Sequence, residues 1–154
     1  GEFSSLVSLM EKQFMKKVHS DFDALFKDWF TVLVENEDLE ISLSYDFSPK
    51  ILQNGYDIGY DHLSGGERTA AALAYRLALN QIINTLMSDI NTKDLLILDE
   101  PTDGFSAEQV DKLRMILDDL AIKQVIIVSH DPKIESFVDN VIRFEKINGV
   151  SEIA

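Results

Sequence analysis

Residues 63–67, Leu63-Ser64-Gly65-Gly66-Glu67, stand at the mouth of an alanine- and leucine-rich helical pattern that runs from Arg68 to Met87. A serine and two glycines at that point leave backbone N–H groups free and set the positive end of the helix dipole before them. The glycines let the backbone come close to an anion. The stretch therefore reads as a phosphate-facing helix N-terminus, although Ser-Gly-Gly alone also serves as a plain turn. Behind it, Leu73, Leu77, Ile82, Ile83 and Leu86 are interleaved with alanines, small enough for close packing against a sheet. Arg68 and Arg76, eight residues apart, read as surface ion-pairing residues, and Asn91-Thr92-Lys93 as the close of the helix.

Two later segments complement this helix. Leu95-Leu96-Ile97-Leu98 is a continuous apolar run, the pattern of a strand buried on both faces, and it delivers Asp99 and Glu100 to its carboxyl end. Open α/β sheets bind ligands at that end of their strands. Neighbouring residues of an extended strand point to opposite sides, so the two carboxylates can do different work. Asp99 can hold a hydrated Mg²⁺ beside nucleotide phosphates, and Glu100 can orient and polarise a water. The plainer alternative is an acidic pair with no chemistry. Pro101 to Phe105 is a turn, and Ser106 with Gln109 forms a capping-box pattern opening a helix to about Ile122. Val125 to Val128 is a second buried strand ending at Ser129-His130-Asp131. A histidine there can donate to a phosphate or hold the water-positioning carboxylate. Pro132 opens a short helix to Val138; Val141, Ile142 and Phe144 form a strand, Asn148-Gly149 a turn, and the last residues an edge strand.

The first part of the chain is built differently. Residues 4–35 read as one helix, with Gly1-Glu2-Phe3 set aside as a cloning remnant. Met15, Val18, Phe22, Leu25, Trp29 and Val32 form a heptad seam, while Leu6, Met10, Phe14, Val18, Phe22, Phe26 and Phe30 repeat at i, i+4. A surface this wide must bury more than one side. One side packs on its own domain; the other fits a coiled-coil partner, which would leave Phe14, Phe22 and Trp29 without cover here. Trp29 and Phe30 are expected to be the more buried, and Met10, Phe14 and Met15 the more exposed. Leu39 to Phe47 alternates as a half-buried strand, Pro49 marks a turn, and Ile51-Leu52-Gln53 returns before the Asn54-Gly55 turn.

Composition excludes several classes. There is no cysteine, hence no disulfide framework or cysteine metal site. No apolar run reaches membrane-spanning length and no secretory signal is present, so the expected compartment is the cytoplasm, with no membrane partner. A net charge of −13 makes the chain by itself a poor DNA binder. No G-x-x-x-x-G-K-[ST] occurs, and none of the seven glycines is followed by lysine. The main phosphate cradle of a P-loop ATPase is thus missing from a chain that carries the other motifs.

Leu63-Ser64-Gly65-Gly66-Glu67, Leu95 to Glu100 and Val125 to His130 resemble, in order and spacing, the signature, Walker B and switch-histidine motifs of an ABC-type ATPase. The heptad helix followed by these three motifs is similar to the returning coiled-coil root plus C-terminal lobe of the SMC-like ABC ATPases. Leu63 to Arg68, with Glu67 after the glycines, and Asp99-Glu100-Pro101-Thr102 resemble the archaeal-type DNA double-strand-break repair ATPases of that family.

The resemblance implies an α/β fold: a P-loop NTPase-like ABC ATPase C-terminal lobe, a mixed sheet with flanking helices, preceded by a coiled-coil root helix. Its expected division is residues 1–3 as remnant, 4–35 as root helix and 36–154 as half of a head domain. It implies ATP and Mg²⁺ as cofactors, in a site completed by an N-terminal P-loop lobe of the same protein. It implies a second head as homodimer partner, a repair nuclease, double-stranded DNA bound through the full complex, and a nucleoid-associated location. Glu100 and His130 would be catalytic and Asp99 the Mg²⁺ ligand. Ser64, Gly65 and Gly66 would bind the γ-phosphate in trans, and Asp103 and Ser106 would form the D-loop. Ser106 stands where the family has aspartate, which puts that loop's cross-dimer contact on Asp103. Met10, Phe14 and Met15 would dock the nuclease. The competing readings are a lobe used only to dimerise or dock partners, and an ABC transporter subunit. The retained Glu100 argues against the first and the heptad helix against the second.

Overall fold

The computed structural model describes residues 2–87, 94–120 and 122–154. Its longest element is helix α1, Glu2–Leu33, which runs through Phe3 without a break. The buried line on α1 is the i, i+4 set: Phe22, Phe26, Phe30 and then Leu33 are almost wholly covered. The heptad seam is not the line this chain buries. Val18, Leu25 and Trp29 are half-buried and Met15 and Val32 are exposed, so Phe22, shared by both sets, is covered rather than left open. The reason lies in helix α2, Gly65–Leu86, which presents Ala70, Ala71, Ala74 and Ala78 on its buried side. Small residues let the two helix backbones approach, and large aromatic side chains from α1 fill the space. Tyr75 of α2 meets Phe22 and Phe26 with ring centroids 4.9 and 5.5 Å apart. The Trp29 indole donates to Gln81 Oε1 at 2.9 Å, fixing the helices in register. The alanine row was expected against a sheet; its main partner is α1. Ile83 and Leu86 are exposed, and the expected close at Asn91-Thr92-Lys93 lies outside the described residues.

Strands β1 (Leu39–Leu43), β2 (Pro49–Gln53) and β3 (Tyr56–Ile58) form an antiparallel sheet in that order. β1 stops four residues short of the alternating pattern. Ser44 and Asp46 capture the backbone instead: Asp46 Oδ1 accepts from the Ser48 amide at 3.2 Å and from the Ser44 hydroxyl, and Phe47 turns to a φ of 65°. Side chains of this type compete with the ladder for backbone groups. Pro49 opens β2, the one strand position where its missing N–H costs nothing. Asn54 and Gly55, at φ 49° and 81°, make the tight turn into β3.

Strands β4 (Leu95–Asp99) and β5 (Gln124–Val128) pair in parallel, with helix α3 (Ala107–Asp119) as their crossover. Their apolar runs predict burial on both faces, but only one face is covered. Leu96 and Leu98 are in the core, while Ile97 is 60% exposed, Val128 54% and Ile126 41%. The helices of this chain supply cover on a single side, so alternate residues of each strand stay open. Past the 3₁₀ turn Pro132–Phe137, the expected strand begins late. Val141 and Ile142 lie outside any strand, and β6 (Phe144–Ile147) and β7 (Val150–Ile153) form a hairpin across Asn148-Gly149. The two-residue turn sets the register, and the ladder runs out at Arg143, whose carbonyl accepts from Ala154. Parallel and antiparallel pairings are therefore both present, divided among three sheets. No helix among the described residues is long and apolar enough to cross a membrane.

The gradient along α1 gives a direct test. Phe26 is fully buried, whereas Met10, Phe14 and Met15 are 62%, 53% and 49% exposed. Phe26→Ala should cost roughly 3–5 kcal/mol in urea unfolding, and the triple alanine variant of the exposed residues less than about 1 kcal/mol.

Candidate nucleotide-facing site

Two helix N-termini and two strand ends make up the site. Ser64 caps α2 in a full capping box: its Oγ accepts from the Glu67 amide at 3.3 Å, and Glu67 Oε2 accepts from the Ser64 amide at 2.9 Å. Burial opposes ionisation of Glu67, but hydrogen bonds from Ser64 and Asn36 together hold its carboxyl below the ordinary value. The box uses the hydroxyl as an acceptor, so its proton stays available to an anion. The amides of Gly65 and Gly66, in the first turn, have no partner within the helix. Gly65 faces open space. Leu63 is buried beneath this turn and anchors it.

Gly66 is held from the other side. A Cβ there would sit 2.8 Å from the Gly104 carbonyl oxygen, and one on Gly104 would sit 3.1 Å from the Gly66 nitrogen. Gly104 has a φ of +73°, a conformation that favours glycine. The turn before α3 thus rests directly on the signature turn. Sequence reading passed over Gly104 as one residue of a turn; its signal was a glycine between an Asp and a Phe, ahead of a second capping box. That box forms as expected, with Ser106 Oγ accepting from Gln109 N at 3.2 Å and Gln109 Oε1 from Ser106 N at 3.1 Å. Asp103 is exposed in the same turn.

The strand ends converge as the parallel register requires. Asp99 lies opposite Val128, and Glu100 N donates to the Val128 carbonyl at 2.8 Å. Glu100 then leaves the extended conformation, with a φ of 45°. That left-handed backbone costs a non-glycine residue about 1–3 kcal/mol and is held only where surroundings enforce it. Here it aims the carboxylate at the β5 end. Glu100 Oε2 lies 2.9 Å from His130 Nδ1 and accepts from the Ser129 hydroxyl at 3.3 Å. His130 and the Glu100 carboxylate are thus in direct contact.

Asp99 opens into a cavity of about 230 Å³ lined by Tyr60, Arg68, Arg76, Glu100 and Asp103 among others. Arg68 and Arg76 make no ion pair among the described residues, contrary to the surface-pairing expectation; both line the same cavity as Asp99 and Glu100. Asp99 alone suits an ion that keeps most of its water. The described residues contain no group of three or more His, Asp or Glu that could hold a metal. Met10, Phe14 and Met15 lie on the first half of α1, apart from these loops.

The Glu100–His130 pair has a pH signature. The hydrogen bond and charge of Glu100 raise the His130 pKa above its ordinary 6.5, and the same hydrogen bond lowers that of Glu100. The raised histidine contributes to the pair below its unfolded pKa and loses that contribution as pH rises through the folded value. The lowered carboxylate contributes above its own unfolded pKa and loses it as pH falls through the folded value. In an NMR titration His130 should therefore titrate above 6.5, and in Glu100→Gln it should move back down toward that value.

No family model matches the chain. Among curated proteins it is 38% identical over 120 residues to the DNA double-strand break repair Rad50 ATPase of Thermoplasma acidophilum, across 75% of the chain and 13% of that protein. It is 42% identical over 105 residues to the Thermococcus kodakarensis Rad50 ATPase, across 67% of the chain and 11% of that protein. The chain thus spans about an eighth or less of these relatives' length. Among solved structures it superposes on the Smc head domain with a coiled coil and joint from Pyrococcus yayanosii with a TM-score of 0.75. That match covers 99% of the chain and 30% of the other at 16% identity. The Pyrococcus furiosus Smc head bound to the C-terminal domain of ScpA gives 0.73, over 99% of the chain and 39% of the other, also at 16%. At such identities the structures speak for the fold alone. The chain is thus similar in sequence to a short part of the DNA double-strand break repair Rad50 ATPases and shares the fold of the Smc head domains, the arrangement of an ABC ATPase lobe with a helix at its N-terminus.

Proposed function

We propose that this chain is the C-terminal half of an ATP-hydrolysing head that works in DNA double-strand-break repair. The observation that carries the reading is the Glu100–His130 contact at 2.9 Å, held by a strained backbone at the end of a parallel strand pair. A lobe used only for docking has no need of that strain. An N-terminal P-loop lobe supplies the main nucleotide cradle and covers the open face of β4 and β5. Two such heads close face to face on two ATP molecules. The Ser64 hydroxyl and the Gly65 and Gly66 amides of one head receive the γ-phosphate held by the other. Asp99 would hold Mg²⁺, and ATP and Mg²⁺, when bound, would supply the phosphoryl group and the charge that neutralises it. Glu100, oriented by His130 and Ser129, positions the attacking water and takes its proton. Asp103 and the Ser106 turn contact the opposite head.

Binding then closes the dimer and hydrolysis reopens it. The exposed early face of α1, with Met10, Phe14 and Met15, docks the partner nuclease, and DNA is held through the full complex at the nucleoid. The acidic chain leaves the basic DNA surface to other parts of the assembly.

With the P-loop lobe supplied, Glu100→Gln should retain ATP binding, lose hydrolysis by at least about 10² in rate, and accumulate as an ATP-locked dimer. Undiminished phosphate release would assign water activation to another group. Ser64→Arg should keep the fold but abolish ATP-driven dimerisation by light scattering; a persisting dimer would remove the trans role.

A further inference from the structure

Gln109 does more than cap α3. While its Oε1 accepts from the Ser106 amide, its Nε2 donates at 3.2 Å to the carbonyl of Leu33, the last residue of α1 and 76 positions away. The final carbonyls of a helix have no partner within it, so this bond fills a need of α1 as well as of α3. A Cβ on Gly66 would lie 3.1 Å from the same Oε1, which seats the signature turn against this one amide. Two neighbouring ties run in parallel. Lys112, mostly buried, pairs with Glu35 just past α1 at 2.5 Å, and Asn36 donates to Glu67 of the Ser64 capping box at 3.4 Å.

We infer that Gln109 is a positioning residue that holds the exit of α1 in register with both phosphate-facing turns. A displacement of α1 then alters the geometry at Ser64 and Ser106, and engagement of those turns stiffens the α1 exit. By linkage the effect runs equally in both directions. This rests on the reading of the two turns as ATP-facing. The oxygen and nitrogen of the amide separate two roles. Gln109→Glu keeps an acceptor for the Ser106 amide and hence the capping box, but it loses the donor to Leu33.

The test is hydrogen exchange on the two-lobe head with α1 intact, with and without Mg-ATP. In the wild type, ATP should increase protection at the Ser64–Glu67 turn and also at Val34 and Glu35. In Gln109→Glu the ATP-dependent gain at the turn should remain, while the gain at Val34 and Glu35 should fall by about tenfold. An equal gain in both proteins overturns the inference, as does a wild type that responds only at the turn. A wild type with no response at the turn overturns the ATP-head reading and the inference with it. If Gln109→Glu does not fold, Gln109→Met removes the cap acceptor along with the donor and tests the Leu33 arm alone: the gain at Val34 and Glu35 should again fall by about tenfold, and an unchanged gain there overturns the inference.

Discussion

Close packing of α1 against the alanine row of α2 is the constraint from which the rest of the structure follows. Ala70, Ala71, Ala74 and Ala78 remove side-chain bulk at successive turns, and Phe22, Phe26 and Phe30 occupy what they vacate. Larger residues on α2 would push the helices apart and open voids around three phenyl rings, and interiors tolerate voids poorly. The same contact decides where the start of α2 lies, because Leu33 and Val34 are buried at the end of the packed stretch. Ser64, Gly65 and Gly66 are thereby placed beside the chain that leaves α1. The Ser64 turn is therefore carried by a closely packed helix pair, the kind of support a site needing fixed geometry requires.

The end with the two strand termini is built on a different principle. Parallel pairing brings Asp99 opposite Val128, and the next residues on each strand leave the sheet together. Glu100 takes a left-handed backbone and His130 meets its carboxylate, an arrangement neither strand would adopt alone. Gly104 joins this end to the first: with no side chain and a positive φ, it lets the turn after Glu100 lie on Gly65 and Gly66. The turns before α2 and α3 thus touch through glycine backbones and through Gln109.

Two apolar surfaces remain open in this chain. One is the far face of β4 and β5, with Ile97, Ile126 and Val128; the other is the early half of α1. The solved Smc heads with which the chain shares its fold are larger than the part it matches, 30% of one and 39% of another.

The sequence by itself determined the elements whose signals are local. The capping boxes at Ser64 and Ser106, the Asn54-Gly55 and Asn148-Gly149 turns and the apolar runs of β4 and β5 all follow from contacts within a few residues. The motifs Ser64 to Glu67, Asp99-Glu100 and His130 also pointed to the relatives that sequence comparison finds, because their order and spacing are read without the fold. Only the tertiary structure decided which of α1's two apolar lines is buried, since both periodicities fit a helix and the choice belongs to α2. It also decided that β4 and β5 are covered on one side, because a continuous apolar run does not say on how many faces the rest of the chain supplies helices. Gln109 shows the limit most clearly. Its Oε1 contact with Ser106 is a three-residue pattern, but its Nε2 contact with Leu33 spans 76 residues and exists only because two helices bring those groups together.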